Sequence, residues 1–435
     1  MAERQREVPE LDIRSLPGPE TIRREELDNG IVVLARANFS SPSVVISGFL
    51  RWGSLDEPRE KAGLADLTAA SLLRGTARRS FEQIYEDLES IGATFHLGAG
   101  KHTTSFFGKA LAEDLPVLLE LLAEVLTEPT FPKEEVERLR AEKITGLTLR
   151  EQNTGARAHL AFSELAYPEH PYAYPSDGYI ETVKTITRRD LRAFHRRMGP
   201  QGMVIAVAGA VDPRGAVEAV AQYLGGWTNP RQGRPMEVPP APPPPGLVRK
   251  DVPLPGKAQC DMVIGTPGPS RFHPHYLAAA LGNNILGRFG MMGRIGDKVR
   301  EKAGMAYYAY STLGGGPGPS PWQVVAGVNP ANVERALELI RQEIRRFVSR
   351  KVTRQELLDN QANFIGRLPL QLETNEGVAT AMVHIEHYQL GLDYYQRYPA
   401  LVRAVTREQI LEVARQFLHP ERLAIGVAGP LPDKG

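Results

Sequence analysis

Cysteine is almost absent from this chain: Cys260 is the single one among 435 residues. No intrachain disulfide can form, and a cysteine-based zinc site or a redox pair is excluded with it. An excess of one charge is missing too. The formal net charge is +1 and there is no long single-sign run, so nothing supports a nucleic-acid footprint. Long apolar runs are also lacking. The most apolar helical stretch, Leu115 to Leu126, is interrupted by Glu120 and Glu124 and falls well short of a membrane span. The N-terminal stretch MAERQREVPELDIRS has no apolar core of the kind a secretory signal needs. Together these absences predict a soluble, cytoplasmic protein with no nucleic-acid or membrane partner. Two catalytic signatures are missing as well, the Gly-x-Ser-x-Gly elbow and the phosphate-binding GxxxxGK[ST]; the glycines from Gly314 to Gly318 have no helix start behind them.

What is present is ordinary globular composition, 42% hydrophobic and 24% charged, in a chain too long for one growing core. Two or more domains are expected. Asn229 to Gly246 carries eight prolines in eighteen residues and predicts an extended, semi-rigid spacer. It separates residues 1–228 from residues 247–435, and those halves look alike. Thr187 opens TRRDLRAFHRRMGPQGMVIAVAG and Thr406 opens TREQILEVARQFLHPERLAIGVAG. Each predicts a capped helix, a proline turn at Pro200 or Pro420, and a strand closing on Val-Ala-Gly. The amphipathic face of Leu115, Leu118, Leu119, Leu122, Val125 and Leu126 has a second-half counterpart in Val333, Leu337, Ile340, Ile344 and Phe347. The chain reads as two tandem copies of one α+β domain. Leu27-Asp28-Asn29-Gly30 predicts a hairpin turn, Ser43 to Trp52 a strand, and the segment after Pro132 a helix to about Leu149.

The stretch from Asn283 to Tyr310 stands out. Gly287, Gly290, Gly293 and Gly296 recur at every third position, a short polar helix is expected over Asp297 to Lys302, and Gly304 is placed to end it in the left-handed conformation. A β-rich run follows from Met305 to Tyr310. Arg300 then sits in the last helical turn and Tyr307 seven residues on, at the strand start. A guanidinium and a phenol brought toward one point suit a peptide carbonyl or the oxyanion formed from it. For the glycines two roles are open, close approach of a peptide backbone or tight turns alone.

The string NNILG…RIGDKVREKAGMAY resembles the second-half signature of the pitrilysin/insulinase family of metallopeptidases, the inverzincins. It is most similar to the branch of two-subunit bacterial peptidases related to the mitochondrial processing peptidase. That resemblance extends over nearly the whole chain. It implies duplicated halves, each a mixed, mainly antiparallel sheet backed by helices, and it assigns substrate-backbone binding to Arg300 and Tyr307. The first half keeps the surroundings of the family's H-x-x-E-H zinc motif, GSLDEP and then AGLADLTAASLLRGT, but the motif has gone. Asp66 stands for the first histidine, Ala69 for the general base and Ala70 for the second histidine. Counting back from His170-Pro171 puts the third ligand at Gly146. The expectation is that this chain binds no metal.

Other histidines offer little in its place. His384 and His387 lie at i, i+3 with Glu386 between them, in a segment the family uses as a plain helix, and read as polar helix residues near Tyr388. His96 and His102 fall among strand residues, and His273 and His275 flank Pro274 in a turn, all without companions at ligand spacing. The resemblance therefore implies a non-catalytic, substrate-binding subunit of a heterodimeric peptidase acting on peptides. Zinc would reside in a homologous partner subunit, and this chain alone would be inactive. The alternative is a structural or peptide-binding protein on the same fold with no role in hydrolysis. An independent hydrolase has no residue constellation in its favour.

Overall fold

The computed structural model describes residues 10–291 and 293–431. Residues 1–9, most of the stretch read for a signal, lie outside it, as do Met292 of the glycine-punctuated segment and residues 432–435 at the end of the second half.

In the first half the Leu27–Gly30 turn does join a hairpin, with Gly30 in the left-handed region at φ +82°. It links β1 (Arg23–Glu26) to β2 (Val32–Ala37), with Arg24 opposite Leu34. With β3 (Ser43–Leu50), β4 (Thr94–Ala99), β5 (Thr104–Leu111) and β6 (Val204–Gly209) these form one sheet in the order β1-β2-β6-β3-β5-β4. Only β2 and β6 run parallel. The second sheet holds β7 (Val248–Pro253), β8 (Cys260–Pro267), β9 (Ala306–Leu313), β10 (Pro321–Val328) and β11 (Ala424–Gly429) in the order β7-β11-β8-β10-β9, with β7 and β11 parallel. Apart from β1, the two orders superpose strand for strand. The two Val-Ala-Gly strands, β6 and β11, occupy the same place in each sheet.

The first half's helices are α1 (Leu64–Leu72), α2 (Phe81–Ser90), α3 (Leu115–Thr127), α4 (Lys133–Glu151), α5 (Thr154–Ala166), α6 (Ile180–Thr185), α7 (Arg188–His195) and α8 (Pro213–Leu224). The second half's are α9 (Tyr276–Gly287), α10 (Gly293–Gly296), α11 (Val333–Ser349), α12 (Arg354–Gln371), α13 (Asn375–His387), α14 (Tyr394–Ala404) and α15 (Arg407–Phe417). The repeated helices start as expected. Thr187 and Asp190 form a capping box on α7, and Thr406 and Gln409 form one on α15. The leucine face of α3 packs with Ile46 and Val207 in one core, and the counterpart face of α11 packs with Met262 and Trp322 in another. Among the described residues no helix is long and apolar enough to cross a membrane.

The halves are not simply side by side. Every residue of β6 and of β11 is buried, so each sheet has two apolar faces to cover, and its own layer of helices covers only one. The second cover comes from the other half. α13 lays Val378, Met382 and Ile385 over Leu34, Val45 and Phe49 of the first sheet. α5 lays Ala158 and Phe162 over Val263, Ala424 and Ala428 of the second. Thr154, opening α5, donates to the buried Asp261 of β8, which also accepts from Tyr308 of β9. Asn375, opening α13, donates to the Ser43 carbonyl at 3.2 Å and accepts from Asn38 at 2.7 Å. Between the halves, residues 229–246 contain no helix or strand. The linker is pinned along the surface: Arg422 donates to the Pro244 carbonyl at 2.8 Å and the Met236 N–H donates to Asp56 at 2.8 Å.

Candidate functional site

The residues around Asp66, Ala69 and Ala70 are held firmly. Gly63 precedes α1 at φ +96°, and the Glu57 carboxylate accepts from the Gly63 N–H at 2.9 Å and the Ala65 N–H at 2.6 Å, capping the helix from outside. Burial pushes the Glu57 carboxyl up to about 7, against the pull of those two hydrogen bonds. One turn along, Asp66 forms an ion pair with Lys143 of the facing helix α4. Gly146 follows Lys143 by three residues on α4, so both lie on the same side of that helix. Ala69 is buried, Ala70 packs against the first core, and a Cβ built at Gly146 would meet nothing within 4 Å.

This set does not fit zinc, which needs three or four donors converging on one point. The one carboxylate present is paired with an ammonium, which opposes a second cation beside it. The two alanines and the glycine supply no donor atom. Among the described residues no three His, Cys, Asp or Glu side chains converge at metal spacing.

The second half builds a different edge. α9 runs to Gly287, where a Cβ would stand 2.2 Å from the Ser311 backbone nitrogen, so the glycine lets the helix end close against β9. Gly290 and Gly293 take φ +60° and +66° in the turn to α10. Close packing and turning thus account for three of the four spaced glycines. Arg294 fixes the far side of the turn through a two-pronged pair with Glu356, at 2.6 and 2.7 Å. The short helix expected over Asp297–Lys302 is present but wound as a π-helix. Gly304, at φ +64°, ends it with its N–H on the Arg300 carbonyl (3.0 Å), and the Met305 N–H bonds Val299 at 3.1 Å.

The strand begins at Ala306 and carries a bulge at once. Val328 of β10 pairs with Ala306 and Gly327 with Tyr308, which leaves Tyr307 as the extra residue. β9 is the free edge of its sheet, and Tyr307 is 63% exposed. Arg300 has a side chain 35% exposed, whose nearest carboxylate is the adjacent Glu301 at 3.5 Å. Arg300 and Tyr307 therefore lie at the two ends of one hydrogen-bonded reversal. No hydrogen bond joins them among the described residues.

His384, His387, His102, His273 and His275 have other engagements. His384 Nδ1 pairs with the Tyr395 hydroxyl at 3.1 Å, and His387 stands edge-on to Phe49 with ring centroids 4.5 Å apart. Glu386 is bound by Arg24, with nitrogen to oxygen distances of 2.8 and 2.9 Å. His102 bonds the Tyr172 hydroxyl, and His273 accepts from the His275 N–H at 3.1 Å. Burial pushes His102, His384 and His387 down to about 4, so each is neutral at physiological pH. Sequence reasoning missed Lys143 as the partner of Asp66, although its i, i+3 spacing to Gly146 was a usable signal. It also missed the bulge, which exists only as a register between two strands.

The insulinase (peptidase family M16) profile matches residues 32–174, and the profile described as the peptidase M16 inactive domain matches residues 185–364. An uncharacterized zinc protease of Streptomyces coelicolor is 26% identical over 97% of this chain and 92% of its own length. The crystal structure of a peptidase M16 inactive domain from Pseudomonas fluorescens superposes with a TM-score of 0.87 at 26% identity, covering 94% of this chain and 98% of that one. A protease from Helicobacter pylori shares the fold at a TM-score of 0.86 and 19% identity, over 95% of this chain and 100% of that one.

Proposed function

Because the chain belongs to the insulinase family, peptidase family M16, and lacks the donors that zinc requires, we propose that it is the substrate-binding, non-catalytic subunit of a two-chain zinc peptidase. A homologous partner subunit supplies the metal and the general base. This chain supplies the β9 edge, with Arg300 and Tyr307, and half of the enclosure. The division is chemically sound, since metal and base act on one side of a scissile carbonyl and a donor to its oxygen acts on the other. Nothing requires both from one polypeptide.

The observation that carries this reading is Tyr307, an exposed phenol on a bulge at an unpaired sheet edge. A bulge turns a side chain out of the regular alternation, and the free N–H and C=O groups of an edge strand can pair with an extended peptide. Tyr307 would donate its hydroxyl to the carbonyl oxygen, and Arg300 would fix the neighbouring backbone.

The test is co-expression with a zinc-bearing paralogue, giving a roughly 1:1 complex on size exclusion. In that complex Tyr307→Phe lowers turnover by about 10²–10³, with assembly and zinc content unchanged. Arg300→Lys loses part of the rate because an ammonium does not reproduce the planar fork, and Lys302→Ala leaves it intact. Normal assembly with an unchanged cleavage rate in both Tyr307→Phe and Arg300→Ala would reduce the pair to packing. A chain that stays monomeric beside every such paralogue is a scaffold or peptide-binding protein instead.

A further inference from the structure

A second feature lies away from both the α1–α4 face and the β9 edge. Where α13 leaves the second half to cover the first sheet, α9, α12, α13 and α14 line an open cavity of about 580 Å³. Its walls are mostly apolar and aromatic, with Phe364, Leu368, Tyr394 and Tyr398 among them. This is the size and character of a small-ligand site.

One cation faces it. Arg271 lies against three rings, its guanidinium carbon 4.7 Å from the centroid of Tyr276, 5.4 Å from Tyr388 and 6.0 Å from Tyr394. Its Nη2 donates to the Tyr394 hydroxyl at 3.2 Å. Among the described residues no carboxylate pairs with it, in contrast to the two-pronged Arg294–Glu356 pair nearby in sequence. Ring stacking occupies the faces of a guanidinium and leaves its in-plane N–H groups available, while holding the fork in place. The carboxylate in the wall, Glu376, is taken by Lys109 of β5. His384, also in the wall, is neutral and bonded to Tyr395, so it brings no second charge.

We propose that this cavity binds an apolar carboxylate, its oxygens on the in-plane N–H groups of Arg271 and its aromatic or branched aliphatic body against Leu368, Phe364 and the tyrosine rings. Such a group is either a free small acid or the C-terminal residue of a peptide. A cation held in place by rings and only partly exposed recognises a carboxylate with little further ordering cost.

Calorimetry on the full chain alone tests this, with no partner subunit needed. The probes are N-acetylphenylalanine, its C-terminal amide, and a tetrapeptide ending in phenylalanine with a free or amidated terminus. At least one free-acid probe binds with Kd below about 1 mM, and its amide binds roughly tenfold or more weakly. Binding of the small acid identifies a free-acid site, and binding of the peptide alone identifies a peptide C-terminus. Arg271→Gln abolishes the preference for acid over amide. Ala280→Leu, which keeps Arg271 but fills the cavity from α9, weakens the acid about tenfold or more; it decides the matter should Arg271→Gln fail to fold. Equal affinity for acid and amide, no binding of either acid at about 10 mM, or binding that survives Ala280→Leu overturns the proposal.

Discussion

The exchange of helices between the halves can be tested at Gly426. This residue lies in β11 of the second sheet, under helix α5 of the first half. A Cβ there would stand 2.2 Å from the Ala158 carbonyl oxygen and 2.6 Å from the Phe162 nitrogen, against 3.4 Å or more for ordinary contact. Both are backbone atoms of α5, so no rotamer change relieves the clash and the helix must recede by roughly 1 Å. Overpacking of this kind costs about 3 kcal/mol, at the upper end of the usual range, because receding also opens a gap beneath Phe162. With a urea slope of about 3 kcal/mol per molar, the unfolding midpoint of Gly426→Ala falls by about 1 M. The assay uses two chains with one tryptophan each, Trp52 in the first core or Trp322 in the second, both buried. If α5 and α13 lock the halves together, both reporters shift equally, although the substitution is in the second half. A shift seen by Trp322 alone refutes the interlocking, and a shift below about 0.2 M refutes the close contact itself.

Elemental analysis of the purified chain finds well under one zinc per chain, no peptide is cleaved by it alone, and Ala70→His by itself changes neither result. About one tightly held zinc per chain would contradict the assignment of Asp66, Ala69, Ala70 and Gly146. Arg294→Ala leaves the buried Glu343, 3.7 Å away, and Glu356 without their shared partner. Glu343 keeps Lys298 at 3.9 Å and Arg346 at 3.7 Å, so the cost in urea unfolding should be about 2–3 kcal/mol, with Arg294→Lys recovering part; a cost under about 1 kcal/mol counts against the pair as the anchor of the turn. The pH dependence of stability should carry a histidine signature. The folded value of His384, about 4, lies below its ordinary 6.5, so between them the unfolded chain binds the extra proton. The stability from neutral His384 is therefore full above about pH 6.5 and is lost as pH falls toward 4. Glu57, raised to about 7, acts in the opposite sense between its ordinary 4.5 and 7, so the comparison with His384→Gln is the readout. That variant shows an acid limb shallower by at most about 1.4 kcal/mol per pH unit, and a limb of unchanged slope contradicts the burial of His384 as its cause.

Much of this molecule was legible along the chain because its signals are local. The capping boxes at Thr187 and Thr406, the turn at Gly30 and the left-handed Gly304 each depend on a few consecutive residues, and each formed where expected. Duplication showed in the two Val-Ala-Gly strands, which occupy equivalent places in sheets of matching order. That Asp66, Ala69, Ala70 and Gly146 offer one carboxylate and no other donor side chain needed only the identities of four residues. What those positions hold instead needed the fold, since the Asp66–Lys143 pair joins helices 77 residues apart in number, 143 less 66.

The tertiary structure alone decided three further matters. Which helix covers which sheet face is invisible in an amphipathic pattern, because an apolar stripe specifies burial and not its partner. α5 and α13 carry no mark of crossing to the other half. The exposure of Tyr307 follows from a register, Val328 against Ala306 and Gly327 against Tyr308, and a register belongs to two strands at once. The cavity at Arg271 is lined from four helices, of which α9 lies apart in sequence from the other three, and its cation gains meaning only from the carboxylates that are not beside it. Sequence determined the elements and their ends; contact between distant residues determined the surfaces that this chain exposes.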